Sequence, residues 1–391
     1  MRTLGKWIGR LLLLVAVAAA AFFIFAPGYV ETQRNAVADH APYPVSDQAR
    51  ALHDSLIIGD WHADSLLWDR DLLKRGDRGQ VDIPRLIEGN VTLQVFTAVT
   101  KSPAGQNYDQ NSSDAMDNIT LLAVGQLWPP RTWQSIFERA VFQAEKLHEF
   151  EARSNGTLHI IRNRADLENV LKRREAGETV VGGLLGIEGS HPLEGRIENL
   201  QKLQDAGYRL IALHHFFDNA LGGSLHGEGN HGLSDFGREV VQAVVDRNLI
   251  LDLAHSSPQV VRDTLEMTDI PVVVSHTGVH SNCPVKRNYP DDLMREIAAT
   301  GGVIGIGYWA DVTCDDSPAG IAKAIKAGID VVGEDHVSLG SDFDGSVATA
   351  FDTSELSALT HALIEAGVSE TQIRKVMGEN MLRVLRARLG D

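Results

Sequence analysis

From about Ala49 onward, short β-rich runs alternate with longer amphipathic stretches, and this alternation constrains the fold more than any other feature of the chain. The runs predict strands near Leu56–Asp60, Thr92–Thr97, Gly183–Ile187, Leu210–Leu213, Ile250–Leu253, Val272–Ser275, Val303–Ile306 and Val337–Leu339. Helical patterns predict Ser234–Arg247, Pro258–Met267, Asp291–Ala299, Ala319–Ala327 and Ser354–Ala366, with a last helix over Glu370–Arg388. Eight strands, each followed by a helix, predict an α/β fold of the (β/α)8 TIM-type barrel, with functional groups at the C-terminal strand ends. A doubly wound open sheet accounts less readily for functional residues drawn from so many strands at once.

The ends of these runs carry metal-liganding side chains. His62 and Asp64 stand in IIGDWHAD, Glu188 in GGLLGIEG, His255 in LILDLAH and His276 in PVVVSH. Imidazoles and carboxylates from separate strands can converge on one point, which supplies the ingredients of a two-metal hydrolytic site. His62 and Asp64, two apart on a strand, share a face and suit one ion. Glu188 is the natural bridge, because a carboxylate can give one oxygen to each of two ions, and His255 with His276 would complete the second. Asp342 in LGSDFDG is placed to orient a water and carry its proton to a leaving amine, with Asp344 competing for that role. His215 is a candidate for oxyanion stabilisation, with His214 as its structural neighbour, and Arg287 in KRNYPDD for a bidentate grip on a substrate carboxylate. Singly, each residue has a plainer reading as a helix cap, a hydrogen-bond partner or a surface ion pair. Five compatible ligands at strand ends together point to chemistry.

At the N-terminus, Arg2, Lys6 and Arg10 precede an uncharged apolar run from Leu11 to Ala26, ended by Pro27 and Gly28. This is the layout of a signal anchor or signal peptide. Sixteen residues rise about 24 Å as a helix, short of a roughly 30 Å hydrocarbon core unless Trp7, Ile8, Tyr29 and Val30 extend it. The absence of a small-x-small cleavage site favours an uncleaved anchor over a secreted protein. Residues 1–30 therefore read as anchor or signal peptide, 31–47 as a linker and 48–391 as a single catalytic domain outside the cytoplasm, periplasmic in a bacterium. Lys101–Arg153 is a long insertion between the second and third predicted strands, with a helical pattern from Ser135 to Glu151. It reads as an active-site wall, an oligomer contact or a surface helix hairpin. A net charge of −16 excludes nucleic acid as a partner. Cys283 and Cys314 are the two cysteines; outside the cytoplasm they can pair, for roughly 3 to 4 kcal/mol, or remain as two buried thiols.

The stretches DWHAD, GIEGSHPL, YRLIALHH, GLSDFGREVV, LDLAHSS, VVSHTGVHSNCPVKRNYPDD and LGSDFDG occur in order between about residues 50 and 388. Together they resemble the zinc-dependent membrane dipeptidases, or renal dipeptidase-like proteins, of the metal-dependent amidohydrolase superfamily. The resemblance implies a (β/α)8 barrel preceded by an N-terminal apolar helix and holding two zinc ions per chain, one on His62 and Asp64, the other on His255 and His276, with Glu188 bridging. It implies substrate roles for His215 and Arg287 and a catalytic role for Asp342. A zinc-bound hydroxide would attack the peptide carbonyl of a dipeptide inside a pocket that excludes longer peptides, and a C-terminal D-residue would be tolerated. The cysteines match positions that are disulfide-bonded in secreted animal members, which implies a Cys283–Cys314 bridge. The further cysteines of those animal proteins are missing, so a disulfide-linked dimer is not expected, while a homodimer stays open. No hydrophobic tail follows ARLGD, so a C-terminal lipid anchor is not expected. The function expected is that of a membrane-tethered zinc dipeptidase. The alternatives are another binuclear amidohydrolase, acting on a lactone, N-acyl amino acid or β-lactam, and a non-catalytic binding barrel.

Overall fold

The computed structural model describes residues 2–390. Its strands are β1 Ile58–Ala63, β2 Val91–Val99, β3 Leu158–Ile160, β4 Val181–Glu188, β5 Tyr208–Ala212, β6 Ile250–Asp252, β7 Val273–Thr277, β8 Val303–Ile306 and β9 Val337–Leu339. All pair in parallel, in the order β2-β1-β9-β8-β7-β6-β5-β4, and a β2–β4 pairing closes the ring. Eight strands thus form the barrel, and β3 lies beside the first residues of β4, with Leu158 opposite Val181. That extra strand is a difference from the sequence expectation. Three residues with one polar member carry too little periodicity to stand out.

The strands read as continuous apolar runs because a parallel barrel buries both faces. Inside it, Trp61, Leu93, Val95, Leu184, Leu210, Ile250, Val273 and Val303 pack with Met381 and Leu385 from the end of the chain. The expected single helix Glu370–Arg388 is in fact three pieces: Glu370–Arg374, a π-turn over Lys375–Glu379, and Asn380–Arg388. The turn brings Gly378 onto the backbone before β1, where an added Cβ would lie 2.1 Å from the Ile57 carbonyl oxygen. Asn380 Nδ2 donates to the Val337 carbonyl at 2.8 Å. The C-terminal helix therefore plugs the barrel at the strand starts, leaving the strand ends as the open mouth.

Several helices start from side-chain caps that the sequence supplies. Ser234, Ser257 and Ser317 accept from the third backbone N–H after them, and Pro258 and Pro318 occupy first helical positions. The apolar helix α1 spans Arg2–Arg34 and does not stop at Pro27. Proline removes one N–H donor but leaves the following turns intact, and Thr32 Oγ1 bonds back to the Gly28 carbonyl at 2.9 Å. Within the stretch expected to be a linker, Glu31 and Asn35 are buried, and Ala38 N donates to the Thr349 carbonyl. Chain then passes through α2 (Asp47–Asp54) and α3 (Ile83–Glu88). The insertion contains α4 (Asn118–Gly125) and α5 (Ile136–Arg153), and α6 (Arg164–Glu175) follows β3. Cys283 and Cys314 are disulfide-bonded.

Candidate metal centre

Each candidate ligand is set by the element it ends. Within β1, the buried Asp60 carboxylate accepts from the backbone N–H of His62 at 2.9 Å and of Ser341 at 3.1 Å, tying β1 to the segment after β9. His62 and Asp64 then emerge on one face, and Thr97 Oγ1 of β2 donates to Asp64 Oδ1 at 2.6 Å. Asp252 of β6 does the equivalent work across the barrel: its Oδ1 accepts from Ala254 N at 2.9 Å and Ser275 N at 3.0 Å, fixing the backbones that lead to His255 and His276. His255 and Asp342 both sit in the left-handed region, at φ 62° and 60°, the kind of strained backbone that clusters at functional sites.

These side chains meet in the buried mouth. Glu188 Oε1 lies 3.6 Å from His62 Nε2, 3.3 Å from His255 Nε2 and 3.5 Å from His276 Nε2. His62 Nε2 is 3.5 Å from Asp64 Oδ1 and 3.7 Å from Asp342 Oδ1. His255 and His276 face each other Nε2 to Nε2 at 2.9 Å. His215 Nε2 is 3.3 Å from Glu188 Oε2, while His214 turns away to Ser256 Oγ at 3.1 Å. Asp344 also turns away: it accepts from Ser65 Oγ at 2.6 Å and Gln80 N at 2.7 Å and pairs with Arg70. Asp342 is thus the carboxylate that faces the ligands.

The electrostatics describe a cluster short of a cation. Burial opposes a proton on His62, yet the carboxylates of Glu188 and Asp64 outweigh it and lift the ring to about 10. Burial and the neighbouring Asp64 raise Glu188, and burial lifts Asp342 to about 8. His255 and His276 are pushed well down, by burial first and then by surrounding positive charge, so each keeps a lone pair for a ligand bond. Among the described residues, buried His62 Nε2 has no hydrogen-bond partner. An orphaned ring nitrogen, two lone-pair nitrogens turned toward each other and two raised carboxyl groups fit divalent metal binding, with nitrogen and oxygen donors of the kind zinc takes.

Arg287 is fully buried. Its Nη2 donates to the His276 carbonyl oxygen at 2.7 Å, whereas Nε and Nη1 have no partner among the described residues. The cavity, about 40 Å³, is lined by Arg287 with Glu188, His215 and Asp342. An active-site wall is one reading of the insertion, but none of the residues that form it was named from the sequence. Gln106 and Tyr108 reach in from the insertion, and Trp309 from beyond β8 donates from Nε1 to Tyr108 Oη at 3.0 Å. Trp309 follows a strand end, so the logic that selected the ligands could have selected it. Gln106 and Tyr108 lie in an aperiodic loop that gave no such signal.

A family model described as membrane dipeptidase, peptidase family M19, matches residues 46–389. Dipeptidase tcpJ of Claviceps purpurea is 28% identical over 317 residues, 79% of this chain and 69% of that protein. The fold matches a Rhodobacter sphaeroides metallopeptidase liganded with a phosphinate mimic of L-Ala-D-Ala at TM-score 0.70 and 23% identity, over 85% of this chain and 99% of that one. It also matches an amidohydrolase from Pseudomonas aeruginosa at TM-score 0.69 and 22% identity, over 88% and 99%. With the match running through the whole barrel, this chain belongs to the membrane dipeptidase family, peptidase family M19, metallopeptidases that hydrolyse dipeptides.

Proposed function

We propose that this protein is a membrane-tethered, extracytoplasmic zinc dipeptidase that accepts dipeptides ending in either an L- or a D-residue. The observation that carries the reading is the convergence of three Nε2 atoms, from His62, His255 and His276, on Glu188 Oε1 within 3.6 Å. One zinc ion would be held by His62, Asp64 and Glu188, and a second by Glu188, His255 and His276. Bound there, the two ions would acidify a water and polarise the scissile carbonyl.

The chain's own groups do the rest. The free Nε and Nη1 of Arg287 grip the C-terminal carboxylate of the substrate, a charge-assisted contact that selects short peptides with a free terminus. Asp342 takes the proton of the attacking water and passes it to the leaving amine, so that water adds to the carbonyl carbon while the C–N bond breaks. His215 contacts the developing oxyanion. Its Nδ1 meets the Lys101 carbonyl oxygen at 3.2 Å, which fixes the ring's orientation and leaves Nε2 on the cavity side beside Glu188. Tolerance of a C-terminal D-residue is supported by the dipeptide mimic bound in the Rhodobacter sphaeroides relative. Placement outside the cytoplasm is supported by Arg2, Lys6 and Arg10 ahead of the apolar run and by the disulfide.

The test is hydrolysis by the zinc-loaded full chain in detergent, with L,L- and L,D-dipeptides against a matched tripeptide, an N-acetyl dipeptide and a β-lactam. Cleavage of the dipeptides alone, abolished by a chelator and by Asp342→Asn at unchanged zinc content, is the expected result. Two bound metals without dipeptide cleavage would move the site to another amidohydrolase substrate.

A further inference from the structure

Outside α1, the large hydrophobic side chains most exposed among the described residues are Met116, Leu121, Leu127 and Trp133, at 62, 58, 63 and 37%. Singly exposed apolar residues are ordinary, but here they all fall in one segment of the insertion. From Asn118 to Pro130 that segment contains no Asp, Glu, Lys or Arg. It is also the segment that meets the apolar helix, because α4 packs against α1.

The position of that contact matters. Along α1, apolar side chains such as Leu11–Leu14 and Phe22 are exposed, and half-buried positions fall at Phe23 and again at Ala26, Pro27 and Gly28, with Ile24 and Phe25 between them still exposed. The globular part therefore begins to cover α1 within its apolar run. Glu31 lies five positions beyond Ala26, a rise of about 7 to 8 Å, so the first buried charge lies within the headgroup layer of a bilayer roughly 40–45 Å thick overall. Glu31 is held there by Arg70 at 2.5 Å and Arg78 at 2.7 Å. A helix fixed in this way cannot swing the barrel clear of the surface.

We propose that Met116, Leu121, Leu127 and Trp133 form a second membrane contact beside α1, seating the barrel on the outer leaflet through the same insertion that walls the catalytic cavity. The inference rests on the reading of α1 as a membrane-crossing anchor. The occupant is lipid because the centre of the patch, Asn118–Pro130, is uncharged and packs against that helix, the flanking Asp117 and Arg131 being paired with Arg139 and with Glu138 and Glu145, and because a tryptophan at its edge suits the interface. A second copy of the chain is a poorer occupant: four side chains cover a few hundred Å², against the roughly 800 Å² per partner of a standard interface. Since Gln106 and Tyr108 of the same insertion line the cavity, the contact holds the catalytic mouth near the membrane surface.

The test uses the full chain in phosphatidylethanolamine–phosphatidylglycerol vesicles. Its two native cysteines are bonded to each other, so single introduced cysteines take the label. An environment-sensitive fluorophore is placed in turn at Leu121→Cys, Leu127→Cys, Leu14→Cys within α1, and Glu175→Cys at the end of α6. Lipids carrying a nitroxide high or low on the acyl chain act as quenchers. The proposal expects the labels at 121 and 127 to lose at least half their fluorescence to the shallow quencher and less to the deep one, with the label at 175 unaffected. Quenching at 14 without quenching at 121 and 127 overturns the proposal and leaves the anchor standing. No quenching at any position overturns both. Energy transfer between labels at 121 that grows with protein-to-lipid ratio, without nitroxide quenching, overturns it in favour of a contact between copies.

Discussion

Arg287 is a buried guanidinium with two of its three nitrogens unpartnered among the described residues, an arrangement that costs several kcal/mol unless something anionic arrives to meet it. That unmet need is the basis for its substrate role. Removing it should cost one or two charge-assisted hydrogen bonds, so Arg287→Ala is expected to raise KM for dipeptides roughly 10- to 100-fold with zinc content unchanged. Steady-state kinetics beside metal analysis checks this, and an unchanged KM would remove the role. A second residue tests the body of the barrel independently of the site. His53 is buried between Thr360 Oγ1 at 2.8 Å and the Gly89 carbonyl at 3.2 Å, and burial lowers its pKa. The unfolded chain therefore takes up a proton on His53 first. The stability tied to its neutral form is present above the ordinary histidine pKa of about 6.5 and is lost as pH falls through it. Unfolding of wild type and His53→Gln between neutral and mildly acidic pH should show their stability gap narrowing as pH falls; a constant gap would show that His53 does not titrate this way. Which side chains meet at the mouth was legible because His62, Asp64, Glu188, His255 and His276 end apolar runs. Tyr108 was not, since nothing local distinguishes a loop tyrosine that folds back over a cavity from one in solvent.

At the scale of elements, the parallel barrel requires strands to approach closely at the mouth, and glycine makes this possible. An added Cβ on Gly340 would lie 1.8 Å from the Ser275 carbonyl oxygen, and one on Gly305 2.1 Å from the same atom. The backbone between His276 and Asp342 is thus packed to contact. Gly340→Ala is expected to destabilise by roughly 1 to 3 kcal/mol through overpacking. Because the shift falls between two site residues, turnover should drop by about 10²-fold even in the fraction that stays folded. Chemical denaturation and kcat per folded molecule separate the two effects, and wild-type values of both would show that the strands yield without strain. The barrel's regularity is also why its elements could be read. Val303–Ile306, Val337–Leu339 and Pro258–Met267 have the bounds that periodicity predicts. Elements bearing little apolar signal escaped: in α6 only Leu167 and Val170 are buried, and the rest of that helix is dominated by charge. The break in the last helix escaped too, because a π-turn keeps the apolar face continuous while letting Gly378 reach the Ile57 carbonyl.

Over the whole molecule, the end of α1 is joined to the catalytic mouth through a short chain of charges. Glu31 is 1% exposed and pairs with Arg70 and Arg78, and Arg70 in turn pairs with Asp344, two residues beyond Asp342. Asn35 Oδ1 accepts from Ser346 N at 2.8 Å, and Ser346 lines the cavity. A flexible tether would need none of these contacts, so the barrel and the helix behave as one body. Deleting the Glu31 carboxylate leaves two guanidinium groups without their shared partner in a largely buried setting, and breaking a buried pair from one side typically costs about 3 to 5 kcal/mol. Glu31→Ala in the full chain should lose stability on that scale, while Arg34→Ala, on an exposed position of the same last turn, should stay within about 0.5 kcal/mol. Because Arg70 also steadies the loop that carries Asp342, the Glu31 variant should lose turnover as well, with zinc content retained. Thermal unfolding in detergent together with kcat for a dipeptide reads both effects. Equal stability in the two variants would mean that the helix is attached to the barrel by chain connectivity alone, and that the mouth is built without it.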